Sequence, residues 1–90
     1  VYILASKRNG TLYTGVTSDL AGRVSQHRSG RVPGFTAQYS VRTLVYFEPH
    51  ESMDSAIRRE RQVKKWRRRW KLEMIERHNP RWYDLYSQLF

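Results

Sequence analysis

The feature that most restricts the fold is the dipeptide Asn9-Gly10, set between two runs rich in β-branched and aromatic residues, 1–6 and 11–17. Asn-Gly readily adopts the positive-φ conformations of a tight turn, so the chain is expected to open with a β-hairpin. With Asn9-Gly10 as a two-residue turn, Tyr13 faces Ser6, Gly15 faces Leu4 and Tyr2 faces Thr17. Tyr2 and Tyr13 then share one face. A four-residue loop keeps that parity and a three-residue loop breaks it, because successive side chains alternate across a strand. The opposite face carries Val1, Ile3, Ala5, Leu12 and Val16, a set suited to a core. One face is thus aliphatic, and the other presents two phenols beside Gly15. A glycine weakens a strand and marks a place where a backbone or ligand comes close, so Gly15 is a candidate nucleic-acid contact.

After the hairpin the period changes. Ser18 is a suitable N-cap, Asp19 complements the helix dipole, and Gly30 can end a helix running through Ser29. Leu20, Val24 and His27 follow helical spacing, and Arg23 and His27, four apart, project from the same side. Residues 30–40 read as a loop and 41–47 as a third strand. Ser52 can cap a second helix with Ala56, Glu60 and Val63 on one stripe. An acidic residue therefore sits on an otherwise apolar stripe. Beyond Arg67-Arg68-Arg69 the stripe moves to Trp70, Leu72, Met74 and Ile75, which predicts a kink or a further helix, and Asn79-Pro80 stops it. The pair Trp66 and Trp70 is expected mainly in the core. Residues 81–90 are too aromatic for a solvated tail and should pack back on the domain. These elements predict a single α+β domain over residues 1–90, with a three-stranded antiparallel sheet in the order β-β-α-β-α-α.

Ninety residues leave room for one core, and a 13% aromatic content supplies large buried area per residue. The absence of cysteine excludes disulfides, zinc ribbons and thiol nucleophiles, and fits a reducing compartment. A cytoplasmic location is the expectation, with no apolar run approaching the roughly 20 residues that cross a bilayer. The net charge of +9 is concentrated: residues 58–71 hold nine basic residues and one acidic one. Such a surface attracts polyanions, since neutralising phosphates releases condensed counterions. Arg58, Arg61, Lys64, Lys65, Arg67, Arg68 and Arg69 are the candidate nucleic-acid contacts.

Val1-Tyr2, Tyr13-Thr14-Gly15, Leu20-x-x-Arg23-x-x-x-His27 and the segment 56–66 around Glu60 occur in one order along the chain. In order and spacing this set resembles the GIY-YIG nuclease superfamily, above all its small stand-alone bacterial members, and the likeness extends over nearly the whole chain. Thr14 stands where the second motif usually has an aliphatic residue. The resemblance implies a metal-dependent endonuclease in which Tyr2 is the base, Tyr13 positions the phosphate or water, and Asn79 supports the site. Many such nucleases take sequence specificity from an added DNA-binding domain. With none here, branched, nicked or damaged DNA is the expected substrate, rather than a base sequence.

The chemistry asks for the same residue types. Hydrolysing a phosphodiester needs an oxygen nucleophile, a proton acceptor, and positive charge where the phosphorus gathers negative charge. Glu60 can hold one Mg²⁺ or Mn²⁺, and since no second carboxylate shares its stripe, one ion follows. A phenol titrates near 10, so Tyr2 or Tyr13 acts as a base only where cations favour the phenolate. Arg23 can stabilise the transition state through its donor fork, and His27 can relay a proton. Taken singly each residue has a plainer explanation: Tyr2 and Tyr13 as an aromatic cluster, Arg23 and His27 as a solvated pair, Glu60 paired with Lys64. The alternative function is a non-catalytic nucleic-acid-binding module that uses only the basic helix. A third reading, a membrane-surface helix, conflicts with the small core's need for that segment's apolar stripe.

Overall fold

The computed structural model describes residues 1–30 and 33–90. Three strands, β1 (Tyr2–Ala5), β2 (Leu12–Gly15) and β3 (Thr43–Phe47), form one antiparallel sheet in the order β2-β1-β3. Helices α1 (Leu20–Arg28) and α2 (Phe35–Gln38) follow β2, and α3 (Met53–Lys65) and α4 (Arg68–His78) follow β3. A 3₁₀ helix at Leu85–Leu89 closes the chain. The α+β architecture and strand order agree with expectation. The one-turn α2 is additional, within the stretch read as a loop; of that stretch, Arg31 and Val32 lie outside the described residues.

The hairpin register differs from the two-residue turn. Ser6 N–H donates to Thr11 O at 3.0 Å and Gly10 N–H to Lys7 O at 2.9 Å, so the loop holds the four residues 7–10, with Asn9 at φ 57. Tyr2 therefore faces Gly15, and Tyr13 faces Leu4. Parity survives, and the two phenols share a face.

The expectation that fails is a sheet with one aliphatic face. β1 is the central strand, and every residue in it is buried. Tyr2 and Leu4 pack with Val24, Val41 and Leu44 on one side, closed over by Leu85, Tyr86 and Leu89 of the tail. Ile3 and Ala5 pack with Val45, Val63, Met74 and Ile75 on the other. A central strand covered on both faces has no polar alternation to show. Opposite β1, the register skips between Ile3↔Tyr46 and Leu4↔Leu44, a bulge that puts consecutive Val45 and Tyr46 in the same core.

Local signals account for the helix ends. Asp19, rather than Ser18, caps α1: its carboxylate accepts from Gly22 N–H at 3.2 Å, and its own N–H donates to Thr17 Oγ1 at 3.0 Å. Ser52 caps α3 by accepting from Ser55 N–H at 3.2 Å. The expected kink is a break of two extended residues, Trp66 and Arg67, between α3 and α4. Arg68 crosses back to the hairpin loop, donating to Asn9 O at 2.8 Å and also to Gly10 O.

Candidate active site

Four of the sequence-selected residues converge on the α1 face of the sheet. Gly15 lies directly across from Tyr2, and β2 carries Tyr13 two residues away on the same face, so the two phenol rings stand 6.2 Å apart. α1 directs His27 into the space between them, its ring centroid 6.2 Å from Tyr2 and 5.4 Å from Tyr13. The Tyr2 hydroxyl and His27 Nε2 are 3.4 Å apart, and His27 Nδ1 and Thr36 Oγ1 are 2.8 Å apart. A chain Tyr2–His27–Thr36 thus runs from β1 through α1 to α2.

The electrostatics of the cluster follow from burial. Tyr2 is only 1% exposed and its hydroxyl is pushed up to about 12, first by desolvation and then by neighbouring Tyr13, with the Arg23 guanidinium pulling the other way. His27 is pushed down, by desolvation and then by the Arg23 charge. At neutral pH the site therefore holds a protonated phenol beside a neutral imidazole, with Arg23 next to both. A neutral imidazole has one donor and one acceptor nitrogen, and Tyr2 and Thr36 engage them. Tyr13 and Arg23 are half-buried whereas Tyr2 and His27 are buried, so Tyr13 and Arg23 form the outer side of the cluster. Beyond Tyr13, Phe35 and Tyr39 extend the aromatic row, with centroids at 6.3 and 4.9 Å, and are 46% and 49% exposed.

Glu60 is carried by α3, which packs on the opposite face of the sheet, and its side chain makes no contact with Tyr2, Tyr13, Arg23 or His27 among the described residues. Burial pushes the Val1 amino group down, and the charges of Glu48 and then Glu60 oppose that shift. The Oε2 of Glu60 lies 3.4 Å from Lys64 Nζ, the pair that helical spacing anticipates. Among the described residues no three His, Cys, Asp or Glu side chains cluster as metal ligands. A sheltered single carboxylate suits a hard divalent cation that keeps water and phosphate oxygens as its remaining ligands.

Several expectations need correcting. The close approach at Gly15 is made by the Tyr2 ring, and Gly15 is buried, so it seats a side chain instead of meeting DNA. Asn79 is buried and its side chain binds backbone only: Nδ2 donates to Val45 O at 3.1 Å and Tyr83 O at 2.8 Å, and Oδ1 accepts from Tyr83 N–H at 3.0 Å. It ties the tail to β3 as a scaffold residue. Arg68 is held by the hairpin carbonyls. Arg58, Arg61, Lys64, Lys65, Arg67 and Arg69 are exposed, Lys64 and Arg69 each in an ion pair one turn along its own helix. Trp66 is half-buried against the core, but Trp70 is 44% exposed and does not belong to it. Thr36 was missed, because it sits in a Gly- and Pro-containing stretch without periodicity; only the fold reveals it as the partner of His27.

A profile of the GIY-YIG catalytic domain matches residues 1–73. The chain belongs to the GIY-YIG family. It is similar to a UPF0213 protein of Staphylococcus haemolyticus, 40% identical over 76 residues, which is 84% of this chain and 92% of the relative. UPF0213 proteins of Staphylococcus epidermidis and Staphylococcus aureus are 36% identical over the same shares of each chain. No solved structure is matched. GIY-YIG membership places the chain in an endonuclease superfamily. Among the described residues no helix is long and apolar enough to cross a membrane.

Proposed function

We propose that this GIY-YIG protein is a metal-dependent endonuclease that hydrolyses DNA phosphodiesters and is directed by branched, nicked or damaged structure rather than by base sequence. The observation that carries the reading is the Tyr2–His27–Thr36 chain with Arg23 beside it. A buried neutral imidazole between two hydroxyls can take a proton from one while the other holds its ring in place. With the proton on Nδ1 directed at Thr36, Nε2 can accept the Tyr2 proton where the Arg23 guanidinium offsets the desolvation that holds that proton on the phenol. Tyr2 in turn deprotonates the attacking water, and Tyr13 and Arg23, the outer members, hold the phosphate. The fixed donor fork of Arg23 matches the charge that develops on the phosphoryl oxygens. Glu60 would hold one Mg²⁺ or Mn²⁺, which supplies positive charge at the phosphate. The exposed cations of α3 and α4 bind the backbone without reading bases, which fits recognition by shape. A cytoplasmic location fits the cysteine-free composition.

The test is incubation with nicked, flap and branched DNA in Mg²⁺, beside Tyr2→Phe and Glu60→Ala proteins. Cleavage by the parent and a loss of about 10²-fold or more in each variant support the reading. Cleavage undiminished in both variants overturns the site. Salt-sensitive binding without any product favours the binding module instead.

A further inference from the structure

The exposed Trp70 needs an explanation, because a chain with so small a core leaves one of its three indoles outside it. The two-residue break between α3 and α4 sets Trp66 and Trp70 edge to face, with centroids 6.4 Å apart and planes at 80°. Together with buried Tyr46 and Met74 they border a cleft of about 410 Å³, a volume in the range of small-ligand sites. Its rim is cationic. Exposed Arg77 lines it, the Arg67 guanidinium stands beside it at 5.9 Å from the Trp70 ring centre, and Arg59, ion-paired with Glu48 at 3.2 Å, stands 5.0 Å from that of Trp66. The one acid at the rim, Glu73, lies 3.8 Å from Arg69. Aromatic walls beneath a positive rim complement a flat base joined to phosphates.

We propose that this cleft binds one unpaired nucleotide of a DNA strand, its base against the Trp70 indole and its phosphates toward Arg67 and Arg77. Base-on-indole stacking is tolerant of sequence, since every base has a π-face, and guanidinium groups add charge attraction. A paired base cannot enter, because its neighbours in the duplex cover both of its faces. The cleft lies on the α3–α4 side of the sheet, opposite the Tyr2–His27 chain, and continues the cationic surface. It would therefore grip a strand away from the phosphate being cut and favour DNA carrying a flap, branch or gap. The proposal rests on DNA as the partner and not on cleavage.

The test uses the full chain without divalent metal, titrated with a short single strand carrying one 2-aminopurine and with a blunt duplex of the same sequence. Stacking on an indole quenches the probe in the single strand. Trp70→Leu is expected to raise the single-strand Kd about tenfold while affecting the duplex much less, and Trp70→Phe to recover most of the affinity. Circular dichroism and thermal melting establish that each variant is folded, which its exposure favours. Equal effects on single strand and duplex, or no effect on either, overturn the proposal. If the parent never cuts DNA in Mg²⁺ but keeps the Trp70-dependent preference for single strand, the nuclease reading fails and the nucleotide site stands.

Discussion

The Tyr2 ring packs so closely over Gly15 that a Cβ at position 15 would stand 2.5 Å from both Cζ and the hydroxyl oxygen. Real Cβ atoms do not approach other atoms so closely. The glycine of the second motif therefore fixes where the phenol of the first one lies, and through it the distance to His27.

Gly15→Ala should for that reason act on both stability and chemistry. The ring has to move, and overpacking of this kind costs about 1–3 kcal/mol. Because the hydroxyl moves with it, cleavage should fall even at temperatures where the variant is folded. Urea unfolding and a cleavage assay read the two effects separately, and an alanine variant that equals the parent in both would show that the packing is not needed.

The pH dependence of stability has two limbs. In the unfolded chain His27 takes up a proton near pH 6.5, whereas in the fold desolvation and the Arg23 charge hold its pKa lower. Between the folded value and pH 6.5 the unfolded state binds more protons, so this contribution is present above about pH 6.5 and is lost as pH falls through the folded value. Tyr2 has the opposite sign. With its hydroxyl pushed up from 10.0 to about 12, the folded state keeps a proton that the unfolded chain releases, and stability is lost as pH rises through that interval. Tyr46, also raised to about 12, adds to the alkaline limb. Urea midpoints measured across pH should be flat near neutrality and fall at both ends. His27→Gln should flatten the acid limb and Tyr2→Phe part of the alkaline one.

The basic residues of α3 and α4 should separate into two groups. Arg68 donates to the hairpin carbonyls of Asn9 and Gly10, so Arg68→Ala should lower stability by about 1 kcal/mol. Arg58 and Arg61 are exposed with no ion pair among the described residues, and neutralising either should leave stability within about 0.5 kcal/mol. Each lost phosphate contact reduces the slope of log K against log salt by about 0.9. Binding titrations at several salt concentrations decide the matter: a reduced slope for Arg68→Ala alone would reverse the grouping.

Legibility in the sequence followed the range of the interactions. Asn9-Gly10 and alternation gave the hairpin and its parity, and Ser52 and Asn79-Pro80 gave helix ends, because each acts within a few residues. The register did not follow, since a four-residue and a two-residue loop share parity and only packing chooses between them. Tyr2, Tyr13, Arg23 and His27, which the fold brings together, were grouped by their order, whereas the order put Glu60 with them and the fold shows no contact between it and the four. Thr36 was not legible, because its pairing with His27 spans nine residues with no periodic pattern. The contacts of Asn79 were not legible for a related reason: its partners, Val45 and Tyr83, contribute backbone groups, which no side-chain pattern records.

Thr14 allows the last test. It sits one step from Tyr13 on the opposite face of β2, is 5% exposed, and its Oγ1 has no hydrogen-bond partner among the described residues. A buried hydroxyl without a partner carries its desolvation cost with no return, and the family motif that this segment resembles usually has an aliphatic residue there. Thr14→Val keeps the β-branched shape favoured in a strand and removes the hydroxyl, so it should raise stability by about 1 kcal/mol, measured as a higher urea midpoint at unchanged slope. Because the side chain points away from Tyr2 and His27, the cleavage rate of the folded protein should stay as it was. A variant that gains stability but loses rate would instead show that the hydroxyl serves the reaction, with the fold bearing its cost.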